Sequence, residues 1–366
     1  MEKTENGTER LRWLDWAKGF AMLLVLIGHS MRDEMRQVSP VLDFFYRAFY
    51  IFHMSYFFWL SGYGYRLSRS KGRQPMQILS RRIKKQLPPW VVYTLFIFLV
   101  FTLAIRIPAF RGTLEDAGYG GMTFFAYILN TLQANNPWAY HLWFLYVLIL
   151  LMTILCCVDG MTKGHYTTTV CVGLSVIGLA GLAVRPLLPL GEWWRLVNYL
   201  SLYLPMVCLG VLMAEWKLPN RVLWLWGGAG LAYIVVRVLA FSGFSGNSLR
   251  LEDPAGRFIV YLLADMLLPG LMMLLNRLFE QGRIARTKAG KKVLLFLGRE
   301  SMTIYLVHQP FCCAFLGLIL YHKLHIPAVP VMIACLIASV LVPLIVTWAV
   351  GKMKMIHQRK AGRNNS

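Results

Sequence analysis

Three residues in the stretch LDWAKGFAMLLVLIGHS, Leu14 to Ser30, carry groups able to do chemistry: the carboxylate of Asp15, the ammonium of Lys18 and the imidazole of His29. The rest of the stretch is apolar enough to cross a bilayer, where ionisable groups are costly unless they face protein or water. On a helix advancing 100° per residue, Lys18 and His29 fall about 20° apart, and Asp15 lies about 40° from His29 and about 60° from Lys18. The spacing therefore predicts one polar stripe on an apolar helix, turned toward the interior of a bundle. At 1.5 Å per residue, Lys18 and His29 are separated by about 16 Å, so they serve different parts of one elongated ligand or cavity. His29 falls in the outer half and Lys18 in the inner third. Asp15 is one turn from Lys18 and is its local partner by spacing; Asp33, four residues after His29, is placed to orient the imidazole if the helix continues that far.

Further candidates stand in other apolar runs. His53 and His308 both fall near mid-membrane, with Tyr305 one turn before His308. Arg47 lies near the outer end of the second run, at a depth close to that of His29, where it can serve as an oxyanion or acceptor ligand. Arg81, Arg82, Lys84 and Lys85 form a basic run just ahead of Pro88-Pro89. There is no G-x-S-x-G, no H-E-x-x-H and no Walker A, and GYGY at 62–65 lacks the third glycine of a dinucleotide loop. No cysteine or histidine spacing suggests a metal site. The seven cysteines all sit in apolar segments and read as small core residues.

The elements that must position these residues follow from composition. Of 366 residues, 57% are hydrophobic and only 15% charged, too apolar for a soluble domain. Ten apolar runs approach the length of a membrane span, at about 14–31, 42–63, 89–107, 141–158, 167–187, 197–216, 222–241, 257–276, 299–321 and 328–350; 123–134 is shorter and suits the outer surface. The expected fold class is all-α: a polytopic membrane protein of about ten helices in one bundle, residues 1–366 forming a single domain with short cytoplasmic tails at 1–12 and 351–366. With the N-terminus inside, 25 of the 38 Lys and Arg fall on the inner side and 9 on the outer, as the positive-inside rule requires for both termini cytoplasmic. The net charge of +21 is thus spent on topology, which argues against a nucleic-acid partner. The first run ends GHSMRDEM without a small-residue cleavage site, so it is expected to remain as a span.

Five stretches, in order, resemble signatures of the acyltransferase-3 family of integral-membrane O-acyltransferases, and most of all its fucose 4-O-acetylase-like subgroup. LDWAKGFAMLLVLIGH supplies the family's basic residue, ten others and a histidine, with Lys18 where many members have arginine. FHMSYFFWLSG, from Phe52, resembles the second-helix pattern, with Ser55 in place of the usual proline. RRIKKQLPPW resembles the basic stretch entering the third helix, read as Arg82 and Lys85. HLWFLYVLILL, from His141, resembles a tryptophan-containing segment opening a later helix, and LGRESMTIYLVHQP resembles the penultimate-helix signature ending Tyr-Leu-x-His.

The resemblance implies acyl-CoA, most simply acetyl-CoA, as a cytoplasmic co-substrate, with no permanently bound cofactor or metal. It implies a carbohydrate or glycolipid acceptor at the outer face of a bacterial inner or plasma membrane, and membrane lipids as surroundings. Such a transfer needs a base for the hydroxyl proton, a stabiliser for the tetrahedral oxyanion and a water-poor thioester site. His29, with Lys18 and Asp15, is the expected catalytic group, either as base or as a transient acyl carrier. Arg81, Arg82, Lys85, His53, Tyr305 and His308 are expected to hold the donor, and Arg47 and Asp33 the acceptor. A transporter or flippase of a lipid-linked sugar is the second reading, since it too needs intramembrane charge around a cavity; the paired halves common in transporters are not evident here.

Overall fold

The computed structural model describes residues 2–3, 9–10, 12–31, 33–116, 118–241, 254–284 and 287–363. The basic loop residues Arg32, Arg250 and Arg286, and parts of both expected tails, lie outside the described residues. Apart from a two-residue antiparallel pairing of Glu2–Lys3 with Glu9–Arg10, the described chain is helical. The helices are α1 (Arg12–Ser30), α2 (Asp33–Val38), α3 (Pro40–Arg69), α4 (Pro75–Arg106), α5 (Pro108–Asp116), α6 (Phe124–Leu132), α7 (Trp143–Met161) and α8 (Thr167–Val184). They continue with α9 (Trp194–Met213), α10 (Asn220–Phe241), α11 (Pro254–Glu280), α12 (Lys288–Arg299), α13 (Ser301–Val307), α14 (Leu316–Leu318) and α15 (Ala328–Arg363). Two stretches of wider π-type turns, His308–Phe315 and Ile319–Lys323, flank α14.

Among the described residues, seven helices are long and apolar enough to cross a membrane: α4, α7 to α11 and α15, some extended by a flanking turn. An eighth results if Ser301–Val307 and Phe311–Lys323, bent by 45° at a break, count as one span. The expected runs 14–31 and 42–63 form the continuous helices α1 and α3, yet neither reaches the apolarity of those seven. The cause is the polar side chains themselves: Asp15, Lys18 and His29 on α1, and Arg47, His53, Ser55 and five tyrosines on α3. The run 299–321 is also altered. Its first residue closes α12, an amphipathic helix where only a basic loop was expected, and the remainder is broken by π turns. The C-terminal helix runs on through 351–363.

Apolar side chains exposed along α8, α10 and α15, such as Ile177, Leu225 and Trp348, suit hydrocarbon rather than water. Inside, helix pairs meet through small residues, as they do where lipid removes the hydrophobic drive to associate. A Cβ on Gly62 would strike the carbonyl of Val207, and one on Gly210 that of Trp59, so α3 and α9 touch backbone to backbone. Gly19 and Gly298 do the same for α1 and α12, against the carbonyls of Leu294 and Asp15.

Contact pairs give the relative directions of the helices. Phe58 stacks on Tyr203 and Arg66 bonds Glu215, so α3 and α9 run parallel. His29 meets Tyr50 while Trp13 meets Tyr63, so α1 and α3 are antiparallel. Trp90 stacks on Tyr146 and Phe98 on Trp138, making α4 and α7 antiparallel. Helices α8 and α9, joined at Gly178–Pro205 and Arg185–Asn198, and α10 and α11, joined at Gly227–Leu274 and Tyr233–Val260, are antiparallel as well.

Candidate active site

A cavity of about 430 Å³ runs between α1, α3, α4, α7, α9 and α13. Asp15, Lys18 and His29 all line it, so the polar stripe on α1 does face one interior space. The inner end is basic: Lys18, Arg82, Lys85 and Arg299 converge there from α1, α4 and the end of α12. Arg82 donates to the carbonyl of Ser61 at 3.0 Å, which ties α4 to α3, and Lys85 is exposed at the mouth. Pro88 and Pro89 cannot donate to the carbonyls of Lys84 and Lys85 one turn back, so the helix lacks two of its own backbone bonds at this mouth. Arg81 points away and is exposed, outside the cavity wall.

The middle of the cavity is apolar, walled by Met22, Val25, Met54, Phe57 and Leu148. Its outer end collects four imidazoles. The ring of His308 lies 5.2 Å from that of His29 and 5.9 Å from that of His141, centre to centre. His53 reaches the group through Tyr50, whose ring is 4.9 Å from it and 5.6 Å from His29. Among the described residues, no set of three or more His, Cys, Asp or Glu is disposed to hold a metal ion.

The hydrogen bonds of the cluster set its chemistry. His53 Nδ1 is bonded to the carbonyl of Phe49, and His308 Nδ1 lies 3.0 and 2.9 Å from the carbonyls of Ile304 and Tyr305. A carbonyl only accepts, so both nitrogens carry the proton and, in the neutral ring, each Nε2 holds a lone pair. The π turns beginning at His308 widen the helix at this point, a distortion common at functional sites. His29 Nδ1 instead meets the hydroxyl of Tyr50 at 3.0 Å, a partner that donates or accepts and leaves either tautomer open.

Other placements differ from the sequence reading. Asp33 does not reach His29; its exposed carboxylate pairs with Arg36 on α2, and Tyr50 takes the orienting position. Arg47 bonds Asp43 at 2.6 Å outside the cavity, in an outer ion network with Arg36 and Asp33. Tyr305 lines the cavity, but its hydroxyl donates to the carbonyl of His141 and accepts from the amide of Leu145, pinning α13 to the start of α7.

Three residues of the cavity lie outside the sequence reading: Arg299, His141 and Tyr50. His141 appeared in a motif valued for its tryptophan, and Tyr50 sits one turn before His53, a spacing that was the one available hint.

A second cavity, of about 990 Å³, lies beyond the imidazole end of the first and shares His29, Tyr50 and Tyr140 with it. Its walls carry Asp33, Asp116, Thr113, Tyr46, Gln309 and His322, a polar set suited to hydroxyl-rich ligands. His29 thus stands in the wall between a basic inner cavity and a polar outer one.

A family model described as an acyltransferase domain matches residues 11–348 of the chain. No curated protein and no solved structure matches it.

Proposed function

The chain belongs to the acyltransferase-3 family, a membrane acyltransferase family, and from that premise we propose that it moves an acetyl group from cytoplasmic acetyl-CoA to a hydroxyl of an exported or cell-surface carbohydrate or glycolipid. The observation that carries this reading is the position of His29, shared by a cavity whose far end is basic and a second cavity lined by carboxylates, hydroxyls and an amide. Lys18, Arg82, Lys85 and Arg299 receive the phosphates of CoA. The apolar middle takes the pantetheine arm and keeps water from the thioester. The roughly 16 Å between Lys18 and His29 then measures the distance from the donor's charged end to its reacting end.

In the transfer, the acceptor oxygen attacks the thioester carbon while His29 takes its proton; the C–S bond breaks and the departing thiolate is protonated in turn. Alternatively His29 attacks first and the acetyl group passes through an acyl-imidazole. Quenching the enzyme with labelled acetyl-CoA in the absence of acceptor separates the two: label on the peptide containing His29 marks the carrier route.

The proposal includes ten crossings with both termini cytoplasmic, in an inner or plasma membrane. It is supported by packing directions, since α1/α3, α4/α7, α8/α9 and α10/α11 are antiparallel while α3 and α9, both even-numbered in that count, are parallel. Purified protein given labelled acetyl-CoA and an extract of the host's surface glycans should acetylate a glycan. Sugar flux across vesicles without any acetyl transfer would overturn the reading in favour of a transporter. Single cysteines introduced as Lys71→Cys and Asp116→Cys should be labelled from the inside and the outside respectively; the reverse pattern would move the donor to the other face.

A further inference from the structure

The transfer proposed above requires a donor for the oxyanion that forms when the thioester carbon becomes tetrahedral. The groups at the outer end of the cavity can be sorted by whether a proton remains to be donated. The hydroxyl of Tyr305 is spent on the carbonyl of His141. The Nδ1 protons of His53 and His308 are spent on carbonyls of their own helices, which leaves the neutral rings only a lone pair to offer. Tyr50 and His29 share one hydrogen bond with each other. Arg82 and Lys18 belong to the inner end.

His141 differs from all of these. It is 4% exposed, it stands in the cavity wall, and neither of its ring nitrogens has a hydrogen-bond partner of good geometry, the backbone of Leu306 lying close to the ring without the alignment of a full bond. A neutral imidazole always carries one N–H, so His141 holds a buried donor that no well-aligned protein acceptor takes up, a costly arrangement for a residue that merely packs. Its neighbour His308 also has an unpartnered Nε2, so three bare nitrogens gather where the two rings meet at 5.9 Å. The backbone of His141 is held on both sides: its carbonyl by Tyr305 and that of the next residue, Leu142, by the indole of Trp90 at 3.2 Å. A short 3-10 turn, Tyr140–Leu142, leads directly into α7 and fixes the angle at which the ring leaves the backbone. The group is therefore preorganised as oxyanion donors must be.

We propose that the N–H of His141 is the donor that binds the thioester carbonyl oxygen and carries its negative charge in the tetrahedral state. It is a catalytic residue, with Tyr305 and Trp90 as positioning residues for its backbone. This rests on the acetyl-CoA reading of the same cavity. As the acceptor oxygen adds to the carbon, the carbonyl π electrons move to oxygen and the His141 N–H hydrogen bond shortens. When the electrons return, the C–S bond breaks, and the proton held by the base leaves with the sulfur.

The test needs no identified acceptor. Acetyl-CoA carrying carbon-13 in its carbonyl is bound to the purified full-length protein, and the C=O stretch is read by isotope-edited infrared spectroscopy. A donor on the carbonyl lowers the frequency relative to free acetyl-CoA. His141→Phe should bind acetyl-CoA with an affinity within about threefold of the unmodified protein, since phosphate contacts dominate donor binding, yet lose the downshift. His141→Asn, which keeps an N–H, should retain part of it, and His29→Ala should retain it fully. Thiol release from acetyl-CoA should fall on the order of 10²–10³-fold in His141→Phe. Should His141→Phe not fold, the His141→Asn and His29→Ala spectra still decide. An identical downshift in the His141 variants and the unmodified protein would overturn the assignment while leaving the acetyl-CoA reading intact. Acetyl-CoA failing to bind the unmodified protein would overturn both.

Discussion

The two ends of the inner cavity hold their functional groups in opposite ways. At the inner end, Lys18, Arg82, Lys85 and Arg299 are long cations gathered from three helices, Arg82 anchored on the Ser61 carbonyl and Lys85 reaching solvent. At the outer end, His53, His141 and His308 are buried rings, two of them held by carbonyls of their own helices and the third by the bonds on its backbone. A diffuse cationic mouth tolerates small displacements, because Coulomb attraction falls slowly with distance. A proton transfer or an oxyanion contact does not, because hydrogen bonds weaken steeply once misaligned. The difference suits the one end to holding a charged ligand and the other to chemistry that needs fixed geometry, as the proposed transfer requires.

The largest effect should follow from breaking the reacting end. His29→Ala is expected to cut acetyl transfer by about 10²–10⁴-fold with little change in KM for acetyl-CoA; full activity in this variant would remove His29 from the chemistry. Next, Gly62→Leu should disturb both ends together, because its side chain has to displace the Val207 carbonyl and with it the contact of α3 with α9. The expected cost is roughly 1–3 kcal/mol, read as a lower melting temperature in detergent, with kcat and KM both impaired. An unchanged melting temperature would show that the helices part easily here.

Arg82→Ala sharpens the comparison from the other side. KM for acetyl-CoA should rise about tenfold, near the value of one charge-assisted hydrogen bond, while kcat stays within about twofold. Lys85→Gln should act in the same sense but more weakly and vanish at high salt, being exposed. A fall in kcat alone for either variant would contradict the division of labour.

The smallest effect belongs to the inner rim beyond the cavity. Arg66 donates to Glu215 at 2.8 Å and holds its carboxyl below the ordinary glutamate range, on a largely exposed side chain. A carboxylate with a depressed folded pKa contributes stability above its unfolded value and loses it as pH falls through the folded one. Melting curves of Glu215→Gln should therefore trail the unmodified protein slightly at neutral pH, by a fraction of a kcal/mol after solvent screening. The two should converge below about pH 4; a gap persisting in acid would mean that packing, not charge, is involved.

Much of this arrangement was legible in the chain. Helical spacing alone placed Asp15, Lys18 and His29 on one face, and all three line one cavity. Seven of the ten expected spans coincide with helices apolar enough to cross a membrane. Hydropathy could not decide for α1 and α3, because the polar residues that serve the cavity are the ones that lower their apolarity. Nor could it foresee α12, whose basic residues read as a loop although its apolar side packs on α1 at Gly298. Spacing also misjudged partners: Asp33 is four residues from His29 but turns to Arg36, whereas Tyr50, twenty-one residues away, supplies the hydrogen bond.

The sequence by itself determined the all-helical membrane class, the polar face of the first helix and the distance between its two functional groups, because each depends only on helical geometry and on the cost of charge in hydrocarbon. Only the tertiary structure decided which donors are already spent. His53, His308 and Tyr305 lose theirs to backbone carbonyls, while His141, 112 residues along the chain from His29, keeps its own. The bonds of His53 and His308 are local, but the Tyr305–His141 contact and the gathering of the rings depend on which helices meet and at what angle, and residue types and spacings within one segment carry no record of that.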